Sequence, residues 1–287
     1  MENAVEIKNL TKRYKDFVLD HISLTIPAGT ILGVIGENGA GKSTLINSIL
    51  GVTDSDYEQV RILGYDLKTQ AKEIKERISA IFSDAGYDEH LTPLVLGKIL
   101  SGVYASWNQD KYLSYLEKFS LPPKKKIKTF STGMQVKLKF AAALSHNAKL
   151  LILDEATNGL DPVFRDDILD ILREFTEDED HAVLMSSHIT SDLDKIADYI
   201  ADIHEGKLIC VMTCDEIRSD YGIISCGREL FDSLSRDDIA AYRKEEYSYR
   251  VLIKNRREIR RIFHDIPIEN ASVEDIMLFY TKGETFK

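Results

Sequence analysis

The sequence predicts an α/β fold built on a parallel sheet, and three observations predict it. A short apolar run, Thr30 to Ile35, leads directly into a glycine-rich loop and then into the helix-like Ser43 to Leu50. A second apolar run, Leu150 to Leu153, ends in two adjacent acids, Asp154 and Glu155. From 150 to 200, strand-like and helix-like segments alternate, as they do where parallel strands are joined by helical crossovers.

Each element follows from local pattern. Residues 4–10 alternate as a half-buried strand does, and 17–26 give a second strand that ends at the turn Pro27-Ala28-Gly29. Thr30 to Ile35 is a buried strand, followed by the loop and a helix that Gly51 stops. Residues 60–68 resemble a hairpin edge, 71–76 a helical turn or two, and 78–82 a further strand. From 88 to 120 the chain is rich in Leu, Tyr and Trp at helical spacing, broken by Pro93 and ended near Leu121-Pro122-Pro123. This predicts an inserted helical region running to about 145, in which Tyr104, Trp107, Tyr112 and Tyr115 pack between helices. Lys149 to Leu153 and 182–186 are strands, 163–175 and 190–199 helices, and 200–210 an edge pair. The remaining residues, from about 213 to 287, predict a small α+β appendage that ends in a helix over 272–280.

Composition narrows the class. Hydrophobic residues are 44% of the 287, enough for a core, and charged residues are 29%, so the surface is well solvated. The net charge of −10 argues against a chain that wraps a polyanion over its surface, and no nucleic-acid partner is expected. It leaves room for a local phosphate site. Cys210, Cys214 and Cys226 have no histidine between them and read as reduced thiols rather than a metal site. The N-terminal residues lack the pattern of a signal peptide, and no segment approaches the ~18 apolar residues of a membrane span.

Residues 36–44 read Gly36-Glu37-Asn38-Gly39-Ala40-Gly41-Lys42-Ser43-Thr44, a full G-x-x-x-x-G-K-[ST] loop. Glycines let the backbone curl so that successive N–H groups face an anion, and the next helix adds the positive end of its dipole. Lys42 is expected on the β and γ phosphates of a nucleoside triphosphate, Ser43 on Mg2+, and Thr44 near the α phosphate. Asp154 and Glu155 stand at the carboxyl end of a strand, where such sheets bind ligands. Asp154 is expected to hold Mg2+ through water. Glu155 is expected to polarise the water that attacks the γ phosphate.

Further motifs follow in order: Phe130-Ser131-Thr132-Gly133-Met134-Gln135, then Ala156-Thr157-Asn158-Gly159-Leu160-Asp161-Pro162, then Ser186-Ser187-His188. With the loop and the acidic strand they identify the chain, over roughly 4–212, as similar to the ATP-binding subunits of ATP-binding cassette (ABC) transporters. The resemblance implies a P-loop NTPase fold of the ABC ATPase type. That fold has a RecA-like core, an antiparallel β edge subdomain and a helical subdomain at about 85–145, within a cassette of residues 1–212 followed by the appendage 213–287. It implies that Ser131 and Gly133, at a helix N-terminus, grip the γ phosphate of ATP bound by an opposite subunit, and that Asp161 crosses the dimer interface. It implies that His188 contacts the γ phosphate and orients Glu155, and that Tyr14 stacks on adenine, with Phe17 as a nearby alternative. The family's usual glutamine after the strand at 78–82 is absent. Ser83 best matches its position, and Asp84 could supply an oxygen ligand to Mg2+ from next door.

The serine-x-glycine-methionine form of the 130–135 motif resembles type-2 exporters, whose permease is a separate polypeptide. The resemblance therefore implies an ATP-hydrolysing subunit, paired with itself or a like subunit, that serves an integral membrane permease from the cytoplasmic face. The partner-facing side would include Tyr87, Leu91 and Leu94. The other reading is a soluble ATPase switch of the same superfamily, acting on a non-membrane partner. The absence of a second phosphate loop and of long heptads speaks against it.

Overall fold

The computed structural model describes residues 2–264 and 266–286. The chain opens with two long strands, β1 (Asn3–Arg13) and β2 (Val18–Pro27), then β3 (Thr30–Ile35) and helix α1 (Lys42–Ile49). A short pair, β4 (Gln59–Ile62) and β5 (Tyr65–Asp66), precedes α2 (Ala71–Lys75) and β6 (Ile78–Phe82). Three helices follow: α3 (Pro93–Val103), α4 (Gln109–Lys118) and α5 (Thr132–Ala143). Next come β7 (Leu150–Asp154), α6 (Pro162–Thr176), β8 (Ala182–Ser186), α7 (Thr190–Ile196), β9 (Tyr199–His204) and β10 (Lys207–Thr213). The chain then forms α8 (Cys214–Asp220), β11 (Gly222–Cys226), α9 (Arg228–Ser233), β12 (Ile239–Lys244) and β13 (Tyr249–Ile253). It ends with α10 (Arg256–Ile262), β14 (Glu269–Asn270) and α11 (Val273–Lys282).

These strands form three sheets. The central sheet has the order β10-β9-β3-β8-β7-β6, parallel except for β10 at its edge. Its parallel strands are apolar along nearly their whole length because both faces are covered. The carboxyl ends of β3, β6, β7 and β8 therefore lie along one rim. An antiparallel sheet, β2-β1-β4-β5, packs on one side through a shared cluster that includes Leu32, Val34, Ile152 and Leu184. Helix α1 packs in that same cluster through Leu45, Ile46 and Ile49, and the other face carries the helices from α3 to α7. One continuous buried cluster there joins α5 and α6 to Ile217, Ile223, Leu252 and Phe279 of the C-terminal segment. The third sheet, β12-β13-β11-β14, is antiparallel.

Capping explains where the helices start. Thr92, Asn108, Ser131 and Asp161 each accept a hydrogen bond from the backbone N–H three residues on, which satisfies a donor the helix leaves free. Tyr112 is fully buried and donates to the Pro93 carbonyl at 3.0 Å, which locks α4 to the start of α3. Tyr104 stacks on His146 at 4.0 Å between centroids, and burial pushes the His146 imidazole down to about 4.

Two expectations shift. The helix expected over 190–199 stops at Ile196, because Ala197 turns extended and Tyr199 enters β9 opposite Leu32. The pair expected at a sheet edge over 200–210 is only half at the edge, since β9 pairs with β3 on its other side. Phe140 is fully buried in α5 and anchors that helix. Phe140→Ala should lower unfolding stability by about 3–5 kcal/mol, read from the urea midpoint, since the site cannot fully collapse.

Candidate active site

The rim of the central sheet gathers most of the residues singled out from sequence. The loop from Gly36 to Gly41 leaves β3 and enters α1 at Lys42. Gly36 has φ +145°, and a Cβ there would stand 2.1 Å from the Ile203 carbonyl oxygen, so only glycine fits. Lys42 is buried, and its Nζ donates to the carbonyls of Gly36 at 2.8 Å and Glu37 at 3.1 Å. Burial lowers the Lys42 pKa, while Glu155, Asp154 and Asp202 oppose that shift. Lys42 thus sits among three acids, with its ammonium held against the loop.

Asp154 ends β7 and is buried; Ser186, its neighbour across β8, donates to Asp154 Oδ1 at 2.6 Å. Glu155 takes a left-handed backbone, φ +53°. Its N–H donates to Ser186 Oγ at 3.0 Å and to the Ser186 carbonyl at 3.2 Å. The Glu155 carboxylate meets His188 Nε2 at 2.5 Å through Oε1 and Asn158 Nδ2 at 3.1 Å through Oε2. One acid thus faces the rim behind Ser186, and the other is oriented by two partners.

A cleft of about 510 Å3 is lined by Tyr14, Phe17, Asn38, Lys42, Ser43, Thr44 and Glu155, among others. Tyr14 is 48% exposed with Lys12 Nζ 5.2 Å from its ring centroid, whereas Phe17 reaches over the loop at Gly41. Either ring could stack on a base. Ser83 donates its N–H to the Asp154 carbonyl at 3.1 Å, which puts the loop of Ser83 and Asp84 beside the acidic strand end. The hydroxyl and carboxylate oxygens of Ser43, Asp154, Ser83 and Asp84 are hard donors of the kind Mg2+ accepts. Among the described residues no group of three or more His, Cys, Asp or Glu side chains is placed to hold a metal ion.

Other residues lie apart from this cleft. Ser131 caps α5 by accepting from the Met134 N–H at 3.3 Å. Asp161 caps α6, and the Phe164 N–H lowers its pKa. Thr132 Cγ2 lies 3.9 Å from where a Cβ on Gly159 would stand, so these two loops adjoin. Among the described residues no hydrogen bond or ion pair joins Ser131, Gly133 or Asp161 to the phosphate loop. Tyr87 and Leu91, expected on a partner-facing side, are partly buried and pack against the buried cluster with one part of their surface. The exposed apolar residues of α3 are Val95, Ile99 and Val103, four apart and so on one stripe.

Sequence reasoning missed several groups at the rim. Ser186 and Asn158 fix Asp154 and Glu155, and only their spacing from known strand ends could have flagged them. Lys282 of α11 pairs with Glu37 at 3.8 Å, a contact no local pattern encodes. Asp202 on β9 lies opposite Ile35, one residue before the loop, and is fully buried.

Residues 19–158 match the family model described as ABC transporter. The chain is 32% identical over 222 residues to the bacitracin transport ATP-binding protein BcrA of Bacillus licheniformis, across 76% of this chain and 72% of that one. It is 33% identical over 239 residues to the daunorubicin/doxorubicin resistance ATP-binding protein DrrA of Streptomyces peucetius, across 81% and 72%. A dimeric ATP-binding cassette, MJ0796, solved in a post-hydrolysis state with ADP and Pi, superposes with a TM-score of 0.66 at 22% identity. The match covers 73% of this chain and 98% of that one. Its likeness is one of fold.

Asp202 makes a pH-dependent prediction. Burial pushes its carboxyl up to about 6, against the pull of His204 and Lys42. An unfolded aspartate titrates near 3.9, so between pH ~4 and ~6 the folded chain holds a proton that the unfolded chain has released. Stability therefore falls as pH rises through that window and stays lower above it. Asp202→Asn should raise unfolding stability at pH 7 by about 2–3 kcal/mol, and the gain should vanish near pH 4 in urea titrations.

Proposed function

The chain belongs to the ABC transporter family as an ATP-binding subunit, and on that premise we propose that it hydrolyses MgATP as one of a pair to power a separate membrane permease. The observation that carries the reading is the convergence of the Lys42 loop, buried Asp154 and the His188–Glu155 contact on one rim of the central sheet. ATP lies in the cleft with its base against Tyr14 or Phe17 and its phosphates on the N–H groups of Gly36–Thr44. Lys42 turns from the Gly36 and Glu37 carbonyls to the β and γ phosphates. Ser43, Asp154 and either Ser83 or Asp84 are the residues whose oxygens would hold Mg2+, which would neutralise phosphate charge when bound.

Glu155 orients and polarises the attacking water. Its carboxylate is already fixed by His188 and Asn158, so little reorganisation is left for the reaction. His188 also reaches the γ phosphate. Ser131 and Gly133 complete the site of an opposite subunit, and Asp161 lies at the interface between the two. This accounts for their separation from the phosphate loop of their own chain.

The cassette comprises residues 1–212, with the helical part at about 85–145, and 213–287 form an appendage. Among the described residues no helix is long and apolar enough to cross a membrane. The subunit docks on the permease from the cytoplasmic face. The docking face is the stripe Val95, Ile99 and Val103 with the adjoining apolar groove of about 650 Å3, lined by Leu50, Val52, Phe82 and Tyr104. The bacitracin and daunorubicin/doxorubicin relatives support an exporter of small bioactive molecules.

Glu155→Gln should lower the ATPase rate by about 100-fold or more, since general-base assistance is lost. With MgATP the same variant should shift from monomer to dimer mass in sedimentation. A variant that hydrolyses at the normal rate overturns the role of Glu155.

A further inference from the structure

Lys139 stands out in α5. The other buried residues of that helix are Val136, Leu138, Phe140 and Ala141 to Ala143, all apolar. An ammonium in such surroundings costs several kcal/mol unless hydrogen bonds and charge compensate. Lys139 Nζ is compensated by backbone: it donates to the Phe82 carbonyl at 2.7 Å and to the Ser83 carbonyl at 3.2 Å. Burial lowers its pKa, and Asp84 pulls the other way.

The Phe82 carbonyl and the Ser83 N–H belong to one peptide group. On its far side that N–H donates to the Asp154 carbonyl at 3.1 Å, at the point where β6 and β7 pair Phe82 with Asp154. A cation on a peptide oxygen polarises the group and strengthens the bond its N–H makes. Asp154 is held in turn by Ser186, whose hydroxyl also receives the Glu155 N–H. Hydrogen bonds thus link α5 to the Asp154 backbone, and Ser186 links the Asp154 carboxylate to the Glu155 N–H. Lys139 lies eight residues after Ser131, two turns along α5 or about 12 Å.

We infer that Lys139 is a positioning residue for ATP hydrolysis, tying the helix that begins at Ser131 to the peptide that supports Asp154. Closure of Ser131 and Gly133 on a partner's nucleotide moves α5, and Lys139 transmits that movement to the acids of its own site. The inference rests on the paired-ATPase reading. Stability alone is a weak reason for this residue, because an apolar side chain of similar length removes the desolvation cost of the ammonium and the carbonyls it leaves belong to partly exposed Phe82 and exposed Ser83, within reach of water.

The test compares Lys139→Met and Lys139→Arg with the parent chain. Lys139→Met should keep its melting temperature or raise it, lower kcat about tenfold or more, and leave KM for MgATP within about twofold. Lys139→Arg, which keeps a buried donor, should recover at least part of kcat. In the Glu155→Gln background, Lys139→Met should weaken MgATP-driven dimer formation about tenfold, a readout independent of turnover. The inference is overturned by a Lys139→Met chain with parental kcat and dimer formation. It is overturned equally by a loss of kcat matched by a loss of melting temperature in both variants. A parent chain that neither hydrolyses ATP nor dimerises as Glu155→Gln would instead overturn the reading beneath it.

Discussion

Two carboxylates in adjacent positions are held in different surroundings, and the rim of the central sheet is organised around keeping them apart. Successive strand residues point to opposite faces, which by itself would send Glu155 to the buried face opposite Asp154. The chain avoids this by leaving β7 in a left-handed turn at Glu155, φ +53°, a conformation that costs about 1 kcal/mol or more outside glycine. Ser186 offsets that cost from the neighbouring strand. Its carbonyl and hydroxyl take the Glu155 N–H while its hydroxyl proton goes to Asp154. One serine therefore sets the backbone of one acid and the side chain of the other. The parallel register of β7 and β8 places it there.

The phosphate loop is held with similar economy by distant segments. A Cβ on Gly206 would stand 1.9 Å from the Val18 carbonyl oxygen, so the turn between β9 and β10 lies directly on β2. From there the Gly206 N–H donates to the Ala40 carbonyl at 2.9 Å. Lys282 reaches Glu37 from α11, and the start of that helix donates the Val273 N–H to Asp194 of α7 at 3.0 Å. The last helix thus touches the loop at one end and, at the other, the helix that follows His188. The Lys282–Glu37 pair is more than half exposed on the lysine side and contributes little energy. Its interest is geometric: residues past β10 are built into the surroundings of the site.

Much of this was legible because it is local. The strand, loop and helix around Lys42 are contiguous in sequence, and so are the acidic strand end and the motif at Ser131. The apolar runs of β3, β7 and β8 needed no partner information to be read. What escaped needed register or packing. Ser186 matters because β8 lies beside β7, which no window of residues shows. Lys139 reads as one more polar position on a helix, and only the approach of the β6 end makes it buried. Tyr87 and Leu91, read as part of a partner surface, lie just before α3 and are partly buried against the cluster, whereas the exposed stripe Val95, Ile99 and Val103 needed the packing of α3 to be seen. The boundary of α7 failed for a related reason, since β9 claims Tyr199 through its pairing with β3.

Gly133 bears on the proposed pairing of two chains. A Cβ there would meet nothing within 4 Å, so the chain's own packing does not demand glycine. Ser131, by contrast, is needed locally as the cap of α5, bonded to the Met134 N–H. A helix start that keeps its first N–H groups open, next to a position with no side chain, is shaped for close approach by an anion. The chain's own phosphate loop makes no bond to it. Under the proposed pairing, an anion presented by a second nucleotide-loaded subunit would satisfy both facts, and it would approach the end of α5 that lies two turns from Lys139. On the proposed reading the constraint on Gly133 would be intermolecular, whereas that on Gly36 is imposed by Ile203 within the chain.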